Sequence, residues 1–186
     1  MRFKFKYNTI IQYDTENPPK WLWITLLDWA SKTLVVNMKS YIFKTNLFRD
    51  KEVSREIEVP EDLNLYKLAE AIVRAYDFDF DHAFGFFSTI SESGYFKSER
   101  KYELFTDLEK DGIEPTGAES VKKTKIGKVW KNLGDNMLFL FDYGDNWLFV
   151  VELTGFGKKE AKIKYPRILK SAGTAPEQYP DYGEKE

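Results

Sequence analysis

Carboxylates around a lone histidine are the residues of this sequence whose types and spacing best suit catalysis. The set comprises Asp79, Asp81, His82, Asp142, Asp145 and Glu152. Carboxylate oxygens with one imidazole suit Mg²⁺ or Mn²⁺, and such a centre can orient water for phosphoester hydrolysis. The pattern therefore predicts a divalent-metal hydrolase. Its candidate catalytic residues are Asp142, Asp145 and His82, and its candidate metal ligands are these three together with Asp79 and Asp81.

The same residues also have a structural interpretation, which the sequence favours. Asp and Asn are common in turns because they bond their own backbone and tolerate the left-handed conformation, and Gly144 is expected to supply a positive φ in the turn 142–146. His82, at the edge of an apolar stretch, is then a hydrogen-bonded structural histidine. One histidine and no cysteine exclude multi-histidine and thiolate metal sites, and we expect no cofactor.

Positive charge is concentrated in residues 120–170, which carry a net charge of +6 against −8 for the rest of the chain. Lysines interleaved with aromatic residues can follow phosphates and stack on unpaired bases. The alternative is that these lysines keep a helix face and an edge strand solvated and the edge unpaired. The candidate nucleic-acid contacts are Lys122, Lys125, Lys128, Trp130, Lys162 and Arg167.

Strands are the main elements expected to position these residues. Aromatic residues make up 17% of the 186 residues, and they favour half-buried pleated surfaces. The two apolar runs around the turn 142–146 predict a hairpin in the centre of a sheet. The full set of predicted strands is 2–13, 40–48 paired with 53–59, 82–88, 137–141 paired with 147–153, and 160–164. The Pro/Gly/Tyr-rich tail of the chain is expected to lie over the surface or fray.

Helices are predicted between these strands. The clearest begins after the cap Asn64 and carries one apolar stripe, namely Leu65, Leu68, Ala69, Ile72, Ala75 and Tyr76. Others are expected at 18–32, near Leu104 to Leu108, and after a Thr124 cap, the last ending at Gly134. Together the elements predict one α+β domain in which helices pack against a mainly antiparallel, mixed sheet.

Four blocks of this sequence resemble the plasmid ORF-3-like family, which is named after an open reading frame of a root-inducing plasmid and is often labelled as passengers of insertion elements. The hairpin block Phe141-Asp-Tyr-Gly-Asp-Asn-Trp147 is the most specific. The other three are Ser54-Arg-Glu-Ile-Glu-Val-Pro60, the helix Leu65 to Ile72 running into Asp79-Phe-Asp-His82, and Tyr165-Pro-Arg167 with Ala175-Pro-Glu177 downstream. The similarity runs from about Tyr41 to Glu177. The resemblance implies a fold and a set of matching residue positions, but the family has no settled biochemical activity that it could imply.

Departures from the family pattern remove most of its metal-capable side chains. Phe84 stands where the family has a second histidine, Leu148-Phe149 stands where it has Glu-His, and Ile168 replaces a common cysteine. We therefore interpret the chain as an uncharacterised binding module for nucleic acid or a protein partner, with the metal hydrolase as the alternative.

The domain organisation follows from the extent of the resemblance. We expect an N-terminal extension at 1–38 packed on a core domain at 39–177, and a tail at 178–186. The N-terminus lacks the apolar stretch of a secretory signal, and the chain has no apolar run of the ~20 residues that cross a membrane, so we expect a cytoplasmic protein without a membrane partner. If the predicted helix 18–32, with Trp21, Trp23 and Trp29, docks on a second copy, the protein is a homodimer.

Overall fold

One eight-stranded sheet dominates the computed structural model, which describes residues 2–4, 10–12, 39–114 and 116–180. Its strands are β3 (Lys39–Leu47), β4 (Ser54–Pro60), β5 (Phe84–Phe87), β6 (Lys101–Glu103), β7 (Glu119–Ser120), β8 (Asn136–Phe141), β9 (Trp147–Lys158) and β10 (Arg167–Ala172). They lie in the order β10-β4-β3-β9-β8-β5-β6-β7. The neighbours are antiparallel except for the parallel pair β6 and β7, so the sheet is mixed.

The central hairpin of the sheet lies where the sequence predicted it. β8 and β9 pair antiparallel from Phe141 with Trp147 to Asn136 with Glu152, and they are the two middle strands. The prediction that Gly144 supplies the positive φ of their turn is wrong. Asp142 (φ 59°) and Asn146 (φ 56°) adopt the left-handed conformation, which Asp and Asn tolerate better than other residues with a side chain.

Helix α1 (Leu65–Ala75) begins at the predicted cap, because the Asn64 side chain accepts a hydrogen bond from the Lys67 backbone N–H. The whole predicted stripe is buried. It shares one apolar cluster with strand residues that include Phe43 of β3 and Phe149 of β9. Just after α1, the Tyr76 hydroxyl donates to the Thr45 carbonyl at 2.9 Å, which ties the end of the helix to β3.

The other helices of the described segments are short. A 3₁₀-helix covers Tyr95–Lys97, and another, Leu104–Asp111, lies where a short helix was expected. α2 (Ile126–Val129) differs from its prediction at both ends. Its N-cap is Lys125 and no side chain caps it, so the prediction of a Thr124 cap is wrong; the Ile126 N–H donates to the Leu63 carbonyl instead. It ends at Val129, because the extended backbone of the next residue, Trp130, stops the helix before Gly134 is reached.

The predicted strand near 160–164 is wrong, since these residues form a turn and irregular structure. The last strand is β10, which lies inside the predicted core domain 39–177 at a place where no strand was predicted. β10 pairs with β4 at the sheet edge, and its register shifts between Ile168 and Lys170. Because a bulge breaks the alternation of inward and outward side chains, the period-two pattern that marks a strand in sequence is lost here.

The N-terminal prediction of one strand over 2–13 is also wrong, because β1 (Arg2–Lys4) and β2 (Ile10–Gln12) form a separate antiparallel pair. The predicted helix 18–32, with Trp21, Trp23 and Trp29, lies outside the described residues. Within the described segments, no helix has both the length and the apolar character needed to cross a membrane.

Candidate functional site

His82 lies between two of the predicted carboxylates. Its Nδ1 is 2.7 Å from Oδ1 of Asp81, and its Nε2 is 3.6 Å from Oδ2 of Asp142. The sheet produces this arrangement, since β5 pairs with β8 so that Phe84 lies opposite Phe141. The segment that precedes β5 therefore meets the turn that follows β8, and the Asp142 N–H donates to the Ala83 carbonyl at 3.0 Å.

The C-terminal segment completes this cluster with two residues that the sequence did not suggest. The Gln178 side chain accepts a bond from the Asp79 N–H at 2.6 Å and donates one to the Asp79 carbonyl at 3.3 Å. The Tyr179 hydroxyl donates to Oδ2 of Asp81 at 2.9 Å. Gln178 is buried although no local pattern marks it, because its partners lie about one hundred residues earlier in the chain.

The electrostatics of the cluster stabilise a charged imidazole. The hydrogen bond to Asp81 is the main cause that raises the pKa of His82 above its ordinary value of 6.5. Partial desolvation opposes this shift, and the charge of Asp142 adds a smaller contribution that raises the pKa. Although partial desolvation acts the other way, hydrogen bonds from His82 and Tyr179 hold the pKa of Asp81 below its ordinary value. Desolvation and the bond to Asp81 raise the pKa of Tyr179 to about 12.

The remaining members of the predicted carboxylate set do not join this contact. Asp79 meets Gln178 through its backbone, Asp145 is exposed in the turn, and Glu152 lies within β9 opposite Asn136 and Lys44. Asp81 and Asp142 address opposite nitrogens of the imidazole ring, so they do not converge on one point. In the part of the chain that the structure describes, no group of three or more His, Asp or Glu is placed to hold a metal ion.

A second candidate site is a basic face around Tyr66, which we define as Tyr66, Lys67, Lys122, Lys123, Lys125 and Lys128. The Tyr66 ring is partly buried, and the ammonium groups of Lys122 and Lys67 lie 5.5 and 5.9 Å from its centroid. Backbone bonds fasten the basic segment to the start of α1. The Tyr66 N–H donates to the Val121 carbonyl at 3.1 Å, and the Asn64 side-chain amide donates to the Lys122 carbonyl at 2.8 Å.

The other predicted nucleic-acid contacts, Trp130, Arg167 and Lys162, do not belong to this face. Trp130 is 0% exposed and packs against Phe43, so its assignment as a base-stacking residue is wrong. Arg167 forms an ion pair at 2.6 Å with the buried carboxylate of Glu58. Lys162 is exposed on the segment between β9 and β10.

Comparisons with known proteins agree with this architecture. The family model for plasmid pRiA4b ORF-3-like proteins matches residues 39–183. A solved structure of a protein of unknown function from Methanosarcina mazei Go1 is 22% identical, with a TM-score of 0.59 over 75% of this chain and 72% of that one. A search of the curated proteins finds no match.

Proposed function

The chain belongs to the plasmid pRiA4b ORF-3-like family, and from that premise we propose that it is a binding module whose basic face takes single-stranded nucleic acid. The observation that carries the proposal is the partly buried Tyr66 ring, flanked by the ammonium groups of Lys67 and Lys122. An aromatic side chain beside lysines combines base stacking with attraction to phosphate.

The charge of the face supports this proposal. Residues 121–131 contain five lysines and no acidic residue. Lys123 and Lys128 are exposed and form no ion pair with any described residue. Since backbone bonds already hold the segment against α1, little chain entropy is lost when a ligand binds.

We expect the triple variant Lys122→Glu, Lys125→Glu, Lys128→Glu to bind a labelled oligothymidylate at least about tenfold more weakly than the wild type at low salt. Removing three phosphate contacts flattens the slope of log affinity against log salt by about 2. Fluorescence anisotropy between about 25 and 200 mM NaCl measures both quantities.

The matched control is Lys158→Glu, Lys162→Glu, Lys164→Glu, which makes the same charge change at exposed positions outside the face. We expect it to lower the affinity much less. Wild-type binding that is undetectable or independent of salt contradicts the proposal, and so does a larger loss in the control variant.

A divalent-metal phosphoester hydrolase is the second candidate. Asp81, His82 and Asp142 lie close together, but the two carboxylates contact opposite nitrogens of the ring, so a bound metal has to displace one of these contacts. The chain has one histidine, so its imidazole proton signals are unambiguous by NMR. If the candidate is correct, millimolar Mn²⁺ broadens these signals and raises the melting temperature, and Asp142→Asn abolishes both effects. Asn suits the left-handed backbone at this position, so the turn is preserved. Signals that stay sharp contradict it.

The same spectra test the cluster without metal. Since the folded pKa of His82 is raised, its imidazole stays charged to a higher pH than a free histidine. We expect a titration midpoint above 6.5 for His82 in the wild type. Asp81→Asn should lower this midpoint more than any other substitution in the cluster, because the hydrogen bond to Asp81 is the main cause of the shift. A wild-type midpoint at or below 6.5 contradicts the described contact.

We further propose a single α+β domain, with helices packed on the sheet, that begins at residue 39, with residues 1–38 as an addition to it. A protein partner or a second copy of the chain remains the alternative to nucleic acid as ligand.

A cytoplasmic location fits a chain without cysteine. Association with mobile elements is proposed from the family resemblance.

A further inference from the structure

One carboxylate is bonded to the lysine segment of the basic face, by which we mean residues 120–124. Asp107, partly buried in the second 3₁₀-helix, accepts from the Ser120 hydroxyl through Oδ1 at 2.5 Å and from the Lys122 N–H through Oδ2 at 3.2 Å. The Ser120 hydroxyl oxygen in turn accepts from the Lys123 N–H at 3.0 Å. A negative charge at this place opposes the attraction of the face for phosphate, so its presence calls for another reason.

The bonds of Asp107 complete a support that holds the lysine segment from two sides. On one side, the first turn of α1 and its cap bind the carbonyl groups of Val121 and Lys122. On the other side, Asp107 binds the N–H of Lys122 directly and the N–H of Lys123 through a serine hydroxyl. The segment is therefore held through its acceptors and through its donors.

This support determines where the Lys122 ammonium group lies. The group is 5.5 Å from the centroid of the Tyr66 ring, and it forms no ion pair with a described residue. The ring itself is held by Phe80 and Phe84, whose centroids are 5.4 and 5.7 Å away. Backbone bonds of the lysine segment therefore keep the charge beside a fixed ring.

We propose that Asp107 is a positioning residue for single-strand binding, which orders the lysine segment so that Lys122 meets a phosphate beside the base stacked on Tyr66. This inference rests on the proposed function of the basic face and adds to it a residue whose own charge repels the ligand. Without Asp107 the segment keeps its lysines and gains net positive charge, but it has to be ordered when the strand binds. Ordering costs free energy, so the affinity falls although the charge becomes more favourable.

We expect Asp107→Ala to bind the labelled oligothymidylate about three- to tenfold more weakly than the wild type at low salt, because lysine side chains lose their preset positions. The slope of log affinity against log salt should stay within about 0.5 of the wild-type value, because every lysine is still present. Glu109→Ala is the matched control, since it removes an exposed carboxylate from the same 3₁₀-helix. Loss of charge alone makes this control bind as tightly as the wild type or more tightly.

Asp107→Asn separates positioning from charge and from misfolding. It removes the same charge as Asp107→Ala but keeps one acceptor oxygen in a side chain of the same shape, so its affinity should lie between those of Asp107→Ala and the wild type. In a Tyr66→Leu background, Asp107→Ala should cost less than about twofold, because Lys122 then has no ring to be placed beside. A general loss of stability lowers the affinity equally in both backgrounds.

The free protein gives a readout that needs no nucleic acid. The Tyr66 amide donates to the Val121 carbonyl and has no bond to Asp107, so its hydrogen exchange reports whether the lysine segment stays against α1. We expect this exchange to be at least about tenfold faster in Asp107→Ala than in the wild type.

The outcomes distinguish this inference from the proposed function. Wild-type protein that binds with the expected salt dependence, while Asp107→Ala binds as Glu109→Ala does, overturns the inference alone. An equal loss in the Tyr66→Leu background, or an unchanged exchange rate of the Tyr66 amide, also overturns it. If the wild type shows no salt-dependent binding, the proposed function fails and the inference fails with it.

Discussion

Arg55→Met is expected to destabilise the protein by about 3–5 kcal/mol, because it removes at once the donor of one buried and two partly buried carbonyl groups. Arg55 is 6% exposed. Its Nε donates to the Ala75 carbonyl at 2.7 Å, and its Nη1 donates to the carbonyls of Ser54 and Ala172, both at 2.9 Å. The guanidinium lies 4.8 Å from the ring centroid of Tyr76.

These contacts join three elements that are distant in sequence. Ala75 is the last residue of α1, Ser54 begins β4, and Ala172 ends β10. No carboxylate forms an ion pair with Arg55 in the described segments, so carbonyl dipoles hold its charge, including those at the negative end of the helix dipole. Lysine lacks the planar fork of donors, so Arg55→Lys should also be destabilising, by a smaller amount.

Urea unfolding followed by circular dichroism measures the effect. The matched control is Arg74→Met, which removes an exposed arginine of α1 that is paired with Glu70. Exposed helix pairs contribute little, so this variant should stay within about 0.5 kcal/mol of the wild type. An Arg55→Met protein as stable as the control would show that the buried contacts do not hold α1, β4 and β10 together.

The sequence predicted elements that have a regular local pattern and missed those defined by distant contacts. The α1 stripe has the helical period of 3.6, and β8 and β9 are two apolar runs on either side of a turn; both elements were confirmed. β10 was missed because its bulge removes the periodicity and its pairing with β4 lies over one hundred residues away. Local patterns do not specify which strands become neighbours.

The candidate site was predictable to the same extent. The carboxylates and the histidine were visible by residue type, but the approach of His82 to Asp142 depends on β5 pairing with β8. Gln178 and Tyr179 required knowledge of where the C-terminal segment lies. Its position among lysines predicts a surface location for Trp130, yet this residue directly follows the four-residue helix α2 and its side chain lies in the core.

Trp130→Ala is expected to cost about 3–5 kcal/mol of stability, the usual range for removing a buried large aromatic residue. The Trp130 ring is 0% exposed and lies edge-on to Phe43 and Phe86, with centroids 4.9 and 6.0 Å away. Its indole N–H donates to the Val151 carbonyl at 3.4 Å. Removing it leaves a cavity between α2 and the sheet. Thermal or urea unfolding measures the loss.

Tyr66→Leu, in contrast, should weaken nucleic-acid binding and leave the stability nearly unchanged. The leucine keeps apolar contact with Phe80 and Phe84, but it removes the ring on which a base can stack. Loss of one stacking aromatic residue weakens single-strand binding by about 1–3 kcal/mol. The milder Trp130→Phe variant, still folded, should bind the oligothymidylate with wild-type affinity, while Tyr66→Leu loses affinity with only a small change in stability. If Trp130→Phe instead weakens binding and Tyr66→Leu does not, the stacking residue has been placed wrongly and the basic face is not the interface.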